Sequence, residues 1–273
     1  MELDAALEQL AQGPAAPVDL AELALRLARD EYAALDVDGY LSELDVMAHE
    51  ARHYMAGDLR ARVQGFCRYL FHEMGFHGNK QDYYDPRNSY LNEVLDRRTG
   101  LPIALSVVAI TVGARAGLEV VGLGLPGHFV VKAVAGGQDV IFDPFHGGRV
   151  LTHEECEGLV QQVTGQPFAL TAEALTPTPP GFIVARMLTN LKGVYLRAED
   201  YPRLIRVTER LRQVSPHDLS QRRDLGATLL QVGQPGRAID HLEAYLAADP
   251  TNPEADAVRQ LLDKARAQVA KWN

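Results

Sequence analysis

The sequence is poor in sulfur, in tryptophan and in long apolar runs, and each shortage excludes something. Two cysteines, Cys67 and Cys156, in 273 residues cannot build a disulfide framework, and both are expected as reduced thiols. No stretch approaches the roughly 18 apolar residues of a membrane-spanning helix. The acidic start Met1-Glu2-Leu3-Asp4 has neither the basic nor the apolar region of a signal peptide, so a cytoplasmic setting without membrane contact is expected. Positive charge is also short: 27 Lys and Arg face 36 Asp and Glu, a net charge of −9. That balance argues against a general affinity for nucleic acid. What remains is ordinary globular material, 47% apolar and 23% charged. Its length suits one large domain or two of about 100–200 residues.

Periodicity organises the chain. Leu20, Leu23, Leu27 and Ala28 recur at helical spacing, as do Tyr40, Leu44 and Met47, and then Leu59, Val63, Phe66, Leu70 and Met74. Residues 76–100 turn polar but carry Tyr83, Tyr84 and Tyr90, which reads as an ordered surface loop. Pro102 opens a helix that Gly117 stops; it is apolar all round, so it is expected to be a buried central helix. Strands are expected at 119–125, 129–134 and 138–142, broken by Pro126-Gly127 and Gly136-Gly137. A capping box at Thr152 and Glu155 starts another helix. Thr176-Pro-Thr-Pro-Pro-Gly181 reads as the linker.

Beyond that linker the chain repeats itself. Leu191, Tyr195, Leu211 and Pro216 are matched 34 residues later by Leu225, Leu229, Tyr245 and Pro250. The second copy follows the tetratricopeptide spacing through Leu225-Gly226, Ala238, Leu242 and Pro250. The first copy departs from it, with Lys192 in place of Gly and Leu204 in place of Ala. Fewer than three repeats leave an apolar face uncovered, so the tail is expected to pack on the preceding domain. Residues 181–273 hold 14 Lys and Arg against 11 Asp and Glu, while 1–180 hold 13 against 25. Solvated helix faces account for that split; the sharper reading is that the Arg-rich tail docks on the acidic domain or binds an acidic partner.

Three arrangements could carry chemistry. His49-Glu50-Ala51-Arg52-His53 has the H-E-x-x-H spacing of a zinc hydrolase, with Glu73 as a distant third ligand. Arg52 between the two imidazoles opposes a dication, so no metal is expected. His128 opens one strand and Asp143 closes the next, which allows the carboxylate to orient the imidazole as in a Cys-His-Asp hydrolase. The nucleophile of such a site belongs at the N-terminus of the preceding buried helix. Here that helix begins Gly100-Leu101-Pro102-Ile103, without a cysteine. Ser106 lies one turn further in; a helix serine commonly bonds back to a carbonyl instead. Cys67 sits among core residues, and Cys156 sits between Glu155 and Glu157, which raise a thiol pKa. Third, Asn88, Ser89, Tyr90, Asn92, Glu93, Arg97 and Arg98 crowd polar groups ahead of the central helix, as a recognition patch or as a helix pairing with its neighbours.

His128-Phe129-Val130 followed by Asp143-Pro144 resembles the H-x-W…D-P half of the transglutaminase-like, papain-like thiol fold. The stretch from Tyr84-Asp85-Pro86-Arg87-Asn88 to Thr99-Gly100-Leu101-Pro102-Ile103, together with Gly124-Leu125-Pro126-Gly127-His128-Phe129, resembles the SirB-type bacterial proteins. These join a transglutaminase-like domain to tetratricopeptide repeats, and a similar segment occurs in an F-box ubiquitin-ligase subunit. The resemblance runs from about residue 35 to 250. It implies an α+β fold: a transglutaminase-like domain with an N-terminal helical layer in 1–175, then all-α tetratricopeptide-like helices in 181–273. It matches His128 to the family histidine and Asp143 to the aspartate, and leaves the thiol position to Pro102.

The function expected from this is a catalytically degenerate module that binds a peptide or protein partner, with Asn88, Tyr90, Asn92, Glu93 and Arg97 as binding residues. No cofactor, metal, nucleic acid or membrane is expected. The alternative is an acyl-transfer hydrolase, a protease or amidase, that uses His128, Asp143 and Ser106 or another nucleophile. A zinc hydrolase through His49 and His53 is the third reading.

Overall fold

The computed structural model describes residues 3–13 and 18–271, which fall into two units: 18–187, and 3–13 together with 188–271. Helix α1 (Leu3–Ala11) belongs to the second unit. The first unit opens with three helices, each started by an aspartate cap. Asp19 caps α2 (Leu20–Ala28), Asp36 caps α3 (Val37–Ala51) and Asp58 caps α4 (Leu59–Cys67). A π-helical turn over Arg68–Glu73 continues α4.

Next come strand β1 (His77–Gly78), a 3-10 turn over Pro86–Asn88, helix α5 (Leu91–Arg97) and strand β2 (Thr99–Gly100), which pairs parallel with β1. The expected surface loop is exposed over 80–84, with Tyr83 and Tyr84 at 38% and 52%, but from Asn88 onward it turns inward. Asn88, Ser89, Tyr90 and Asn92 are all buried. A polar segment can be buried when its own groups pair, and Asn88 supplies much of the pairing. Its Nδ2 donates to the Asp82 and Tyr83 carbonyls at 2.7 and 3.3 Å, and its Oδ1 accepts from Asn79 Nδ2 at 3.1 Å. Its own carbonyl accepts from Leu101 N at 3.0 Å.

Helix α6 (Pro102–Ala116) is the expected central helix. It has Pro102 at its first turn and Gly117 at its left-handed C-cap, and it is buried along almost its whole length. It packs between α2 and α3 on one side and the sheet on the other. That sheet runs β3 (Val120–Leu125), β4 (His128–Ala135), β5 (Gln138–Asp143) and β6 (Arg149–Leu151), antiparallel throughout and in sequence order. Helix α7 (His153–Thr164) starts with the expected capping box between Thr152 and Glu155. Its Cys156 and Val160 join Leu123, Leu125, Val130, Ile141 and Leu151 in one apolar cluster.

The Thr/Pro-rich segment before residue 181 is tied down, unlike a free linker. Thr178 N donates to Gly122 O at 2.8 Å, and Thr178 Oγ1 accepts from Gly124 N at 2.9 Å. An extended, proline-bearing segment suits the open edge of a strand, because an edge needs only some of its amides paired.

In the second unit, α8 (Pro180–Arg197), whose first two turns belong to the first unit, leads into α9 (Tyr201–Val214). Helices α10 (Ser220–Gln231), α11 (Pro235–Ala248) and α12 (Ala255–Ala270) follow. Leu225, Leu229, Leu242, Tyr245, Val258 and Leu262 share one core. A Cβ on Gly226 would stand 2.6 Å from Leu242 Cδ2, which explains the glycine of the repeat pattern. The departure at Lys192 has a physical reason too: its Nζ reaches Gln221 Oε1 and Asp224 Oδ2, both at 2.6 Å, and so ties one repeat to the next. α1 packs against α9, where Asp4 pairs with Arg210.

Candidate functional site

His128 and Asp143 meet at one end of the four-stranded sheet, because one residue opens β4 and the other closes the antiparallel β5. His128 Nε2 lies 2.9 Å from Asp143 Oδ2, and both side chains are buried, at 5% and 1% exposure. Asp143 also caps the 3-10 turn Pro144–His146, its Oδ1 accepting from Phe145 N at 2.9 Å and His146 N at 3.3 Å. That turn brings His146 back over its own cap, with Nδ1 2.7 Å from the same Oδ2. An ionised carboxylate only accepts, so each imidazole donates an N–H to it, His128 from Nε2 and His146 from Nδ1. Burial alone would push the Asp143 pKa up. The hydrogen bonds from His128 and then His146 outweigh it and hold the carboxyl well below the usual carboxylate range.

The turn is locked from behind. Gly148 N donates to Asp143 O at 2.8 Å. Gly148 has φ +73°, and a Cβ there would stand 2.3 Å from the Phe71 ring and 2.7 Å from Cys67 Cβ. The Cys67 role is thus packing beneath this turn, and burial raises its thiol pKa strongly. Cys156 is fully buried, and its pKa is raised to about 11 by burial first, then by the charges of Asp143, Glu155 and Glu157.

His128, Asp143 and His146 open onto a cleft of about 740 Å³, which Pro102, Tyr83, Lys80, Phe145, Leu159 and Val163 also line. That volume is in the range of small-ligand sites. Pro102 thus stands at the α6 N-terminus inside the cleft that His128 faces. Ser106 does not line it: the residue is fully exposed to neither cleft nor solvent, at 0% accessibility, and its Oγ has no hydrogen-bond partner among the described residues. The expected bond back to a helix carbonyl is absent.

None of Asn88, Tyr90, Asn92, Glu93 and Arg97 lines the cleft. Asn88 acts behind it, clasping the 79–83 loop that carries Lys80 and Tyr83 and holding the start of α6 through Leu101. Arg97 lies 3.5 Å from Asp85, and Glu93 is half-buried on α5. The His49–His53 pair is exposed, and among the described residues no third donor joins it. α3 ends at Ala51, His53 falls in a tighter 3-10 turn, and the rings stand edge-on with centroids 5.6 Å apart. Arg52 reaches the Arg115 carbonyl at 2.6 Å, and Glu73 pairs with Arg68.

Two residues went unread in the sequence. His146 was signalled by Asp143-Pro144-Phe145-His146, since a capping Asp followed by Pro starts a helical turn and places residue i+3 over the cap. Arg186 carried no local signal. From α8 it donates to Leu125 O at 3.1 Å and His128 O at 2.7 Å, and it lies over the Phe129 ring, pinning the turn that presents His128.

A histidine and its orienting aspartate at the end of a small antiparallel sheet, sharing a cleft with the N-terminus of a buried helix, define a transglutaminase-like unit. The helix pairs from 188 onward add tetratricopeptide repeats. Comparison with known proteins agrees: the transglutaminase-like superfamily profile matches residues 38–189, and a tetratricopeptide-repeat profile matches 191–263. The chain belongs to the transglutaminase-like superfamily and, within it, to the UPF0162 proteins. It is 34% identical over 260 residues to a UPF0162 protein of Xylella fastidiosa strain Temecula1, covering 92% of this chain and 91% of the relative. A UPF0162 protein of Vibrio cholerae is 28% identical over 231 residues, covering 84% and 83%. F-box only protein 21 of Homo sapiens is 34% identical over 124 residues, which is 42% of this chain but 20% of that protein. No solved structure matches the chain significantly. The resemblance to SirB-type proteins and to an F-box subunit is thereby borne out.

Proposed function

We propose that this chain is a transglutaminase-like module that has kept the cleft and lost the thiol, and that the cleft binds a peptide segment of a partner protein without acyl transfer. The observation that carries the reading is the lining of the cleft: His128 and Asp143 are there, and the helix N-terminus beside them presents Pro102, with no Cys, Ser or Thr among the described lining residues. Proline has no side-chain nucleophile and no amide N–H to stabilise an oxyanion. Ser106, lower in the same helix, is sealed from the cleft. Apolar surface at the cleft favours a polypeptide ligand, since Val163 and Tyr83 line it while 50% and 38% exposed.

The reading assigns the cleft to the part of the chain before the Thr176–Gly181 segment and a supporting, partner-binding role to the repeats in 181–273. It places the protein in the cytoplasm; among the described residues no helix is long and apolar enough to cross a membrane. Asn88, Tyr90, Asn92, Glu93 and Arg97 support the cleft from behind in this reading.

The test is a displayed peptide library selected on the full chain, with Val163→Asp and Tyr83→Ala as cleft variants. Selected peptides are expected to lose at least about tenfold affinity on either variant, or about 1.4 kcal/mol, and to stay uncleaved. A panel of acyl and amide substrates is run beside it with wild type, His128→Ala and Ser106→Ala. Turnover that both substitutions abolish would replace this reading with the serine hydrolase.

A further inference from the structure

We propose that His128, Asp143 and His146 form a binding site for one divalent first-row transition ion, open to the cleft. Their donor atoms, His128 Nε2, Asp143 Oδ2 and His146 Nδ1, lie within 4.8 Å of one another. The inference goes beyond peptide binding and does not depend on it.

The geometry already resembles a coordination sphere. Metal–ligand bonds of about 2.1 Å put neighbouring donors about 3.0 Å apart at octahedral right angles and about 3.4 Å apart at the tetrahedral angle of zinc. The two N···O gaps here are 2.9 and 2.7 Å, so an ion needs at most about 0.7 Å of opening. Two imidazole N–H groups converge on one carboxylate oxygen, and an ion would sit between them. The proton on each coordinating nitrogen leaves it for the other ring nitrogen or for solvent, so both rings coordinate as neutral imidazoles beside one carboxylate and the occupied site carries a net charge of about +1. Two imidazoles and one carboxylate suit zinc, cobalt or iron(II) and are too nitrogen-rich for magnesium or calcium.

The carboxylate is held from outside as well. Asp143 Oδ1 is held by the Phe145 and His146 amides, leaving Oδ2 free to coordinate. The site is reachable, since a third of the His146 side chain is exposed, at 34%. Of the cations lining the cleft, Arg149 is paired with Glu155, which limits its repulsion of an ion. The remaining coordination positions face the cleft and take water or a carboxylate oxygen. The expectation of no metal was built on His49 and His53; the fold assembles a different donor set, His128, Asp143 and His146.

The experiment uses full-length protein stripped with chelator and titrated with Zn²⁺ and Co²⁺, with Mg²⁺ as the oxygen-preferring control. One equivalent of Zn²⁺ and of Co²⁺ is expected to bind saturably, and Mg²⁺ to fail. His146→Ala, on an exposed turn, is expected to weaken binding by at least the roughly 10–100-fold that loss of an outer partner costs. The double variant His49→Ala/His53→Ala is expected to bind like wild type. In the wild-type chain, Zn²⁺ is expected to shift the ring nitrogen resonances of His128 and His146, a readout that needs no variant to fold. Absence of saturable binding, unchanged binding in His146→Ala, or shifts confined to His49 and His53 would overturn the proposal. None of these outcomes bears on peptide affinity, so the two readings fail separately.

Discussion

Replacing Asp143 with Asn tests how much of the cleft rests on one carboxylate. Asp143 accepts four hydrogen bonds, from His128 at 2.9 Å, His146 Nδ1 at 2.7 Å, Phe145 N at 2.9 Å and His146 N at 3.3 Å. An amide has one acceptor oxygen and no charge, so its NH₂ must face either the two backbone amides, losing those bonds, or the two imidazoles, which must then shift their protons to the far ring nitrogens to accept from it; either way the pairing loses its charge. Hydrogen bonds to a charged group contribute about 1.5–3 kcal/mol each, against about 0.5–1.5 kcal/mol for neutral ones, so four bonds that lose the charge cost about 4 kcal/mol. The Asp143 side chain is 1% exposed, so water offers little relief. The loss is read locally by hydrogen exchange of segments spanning residues 128–146, in chelator so that a bound ion adds nothing. Protection is expected to fall by about three orders of magnitude, at 1.36 kcal/mol per tenfold. A fall of less than about tenfold would show that the His128–Asp143–His146 arrangement contributes little to holding these strands together, and would refute the reasoning.

Other expectations follow from single residues. Pro102→Cys puts a thiol at the first turn of α6 inside the cleft, so its alkylation by iodoacetamide should titrate at least about one unit below the 8.5 of a free cysteine. Alkylation with the pH profile of an unfolded thiol would count against the placement. Arg186→Lys keeps the charge but loses the fork that bridges the Leu125 and His128 carbonyls, and should cost about 2 kcal/mol of protection at residues 122–130. Unchanged protection there would remove Arg186 as a positioning residue. Asp85 is pushed up by burial but pulled further down by Arg87, so its folded pKa lies below its unfolded one. Its stabilisation is therefore present above about pH 4 and lost as pH falls through the folded value. The stability gap between wild type and Asp85→Asn should narrow over that acid range, and a constant gap would contradict the pairing.

Much of the fold was legible because its signals are local. Pro102 and Gly117 bound α6, Pro126-Gly127 and Gly136-Gly137 divide the strands, and Thr152 with Glu155 starts α7. The 34-residue match of Leu191 and Tyr195 with Leu225 and Leu229 gave the repeats. What stayed hidden depends on distant partners. Asn88 is buried because the 79–83 loop folds onto it, and no periodicity records that. β1, β2 and β6 have two or three residues each, too few to display an alternation. Asp4 meets Arg210 across most of the chain length. In the candidate site, His128 and Asp143 could be paired from strand ends, whereas Arg186 reaches the His128 carbonyl from a helix 58 residues away.

The central claim is that the cleft keeps a histidine and its orienting aspartate but has no resident nucleophile. Intact-mass spectrometry of the native wild-type chain tests it most directly, after exposure to a fluorophosphonate, an activated thioester and iodoacetamide at neutral pH. The account predicts no adduct from the first two and none on Cys67 or Cys156 from the third, because both thiols are buried with raised pKa values. A single acyl or phosphonyl adduct on Ser106 or any cleft residue, absent in folded His128→Ala, would contradict it.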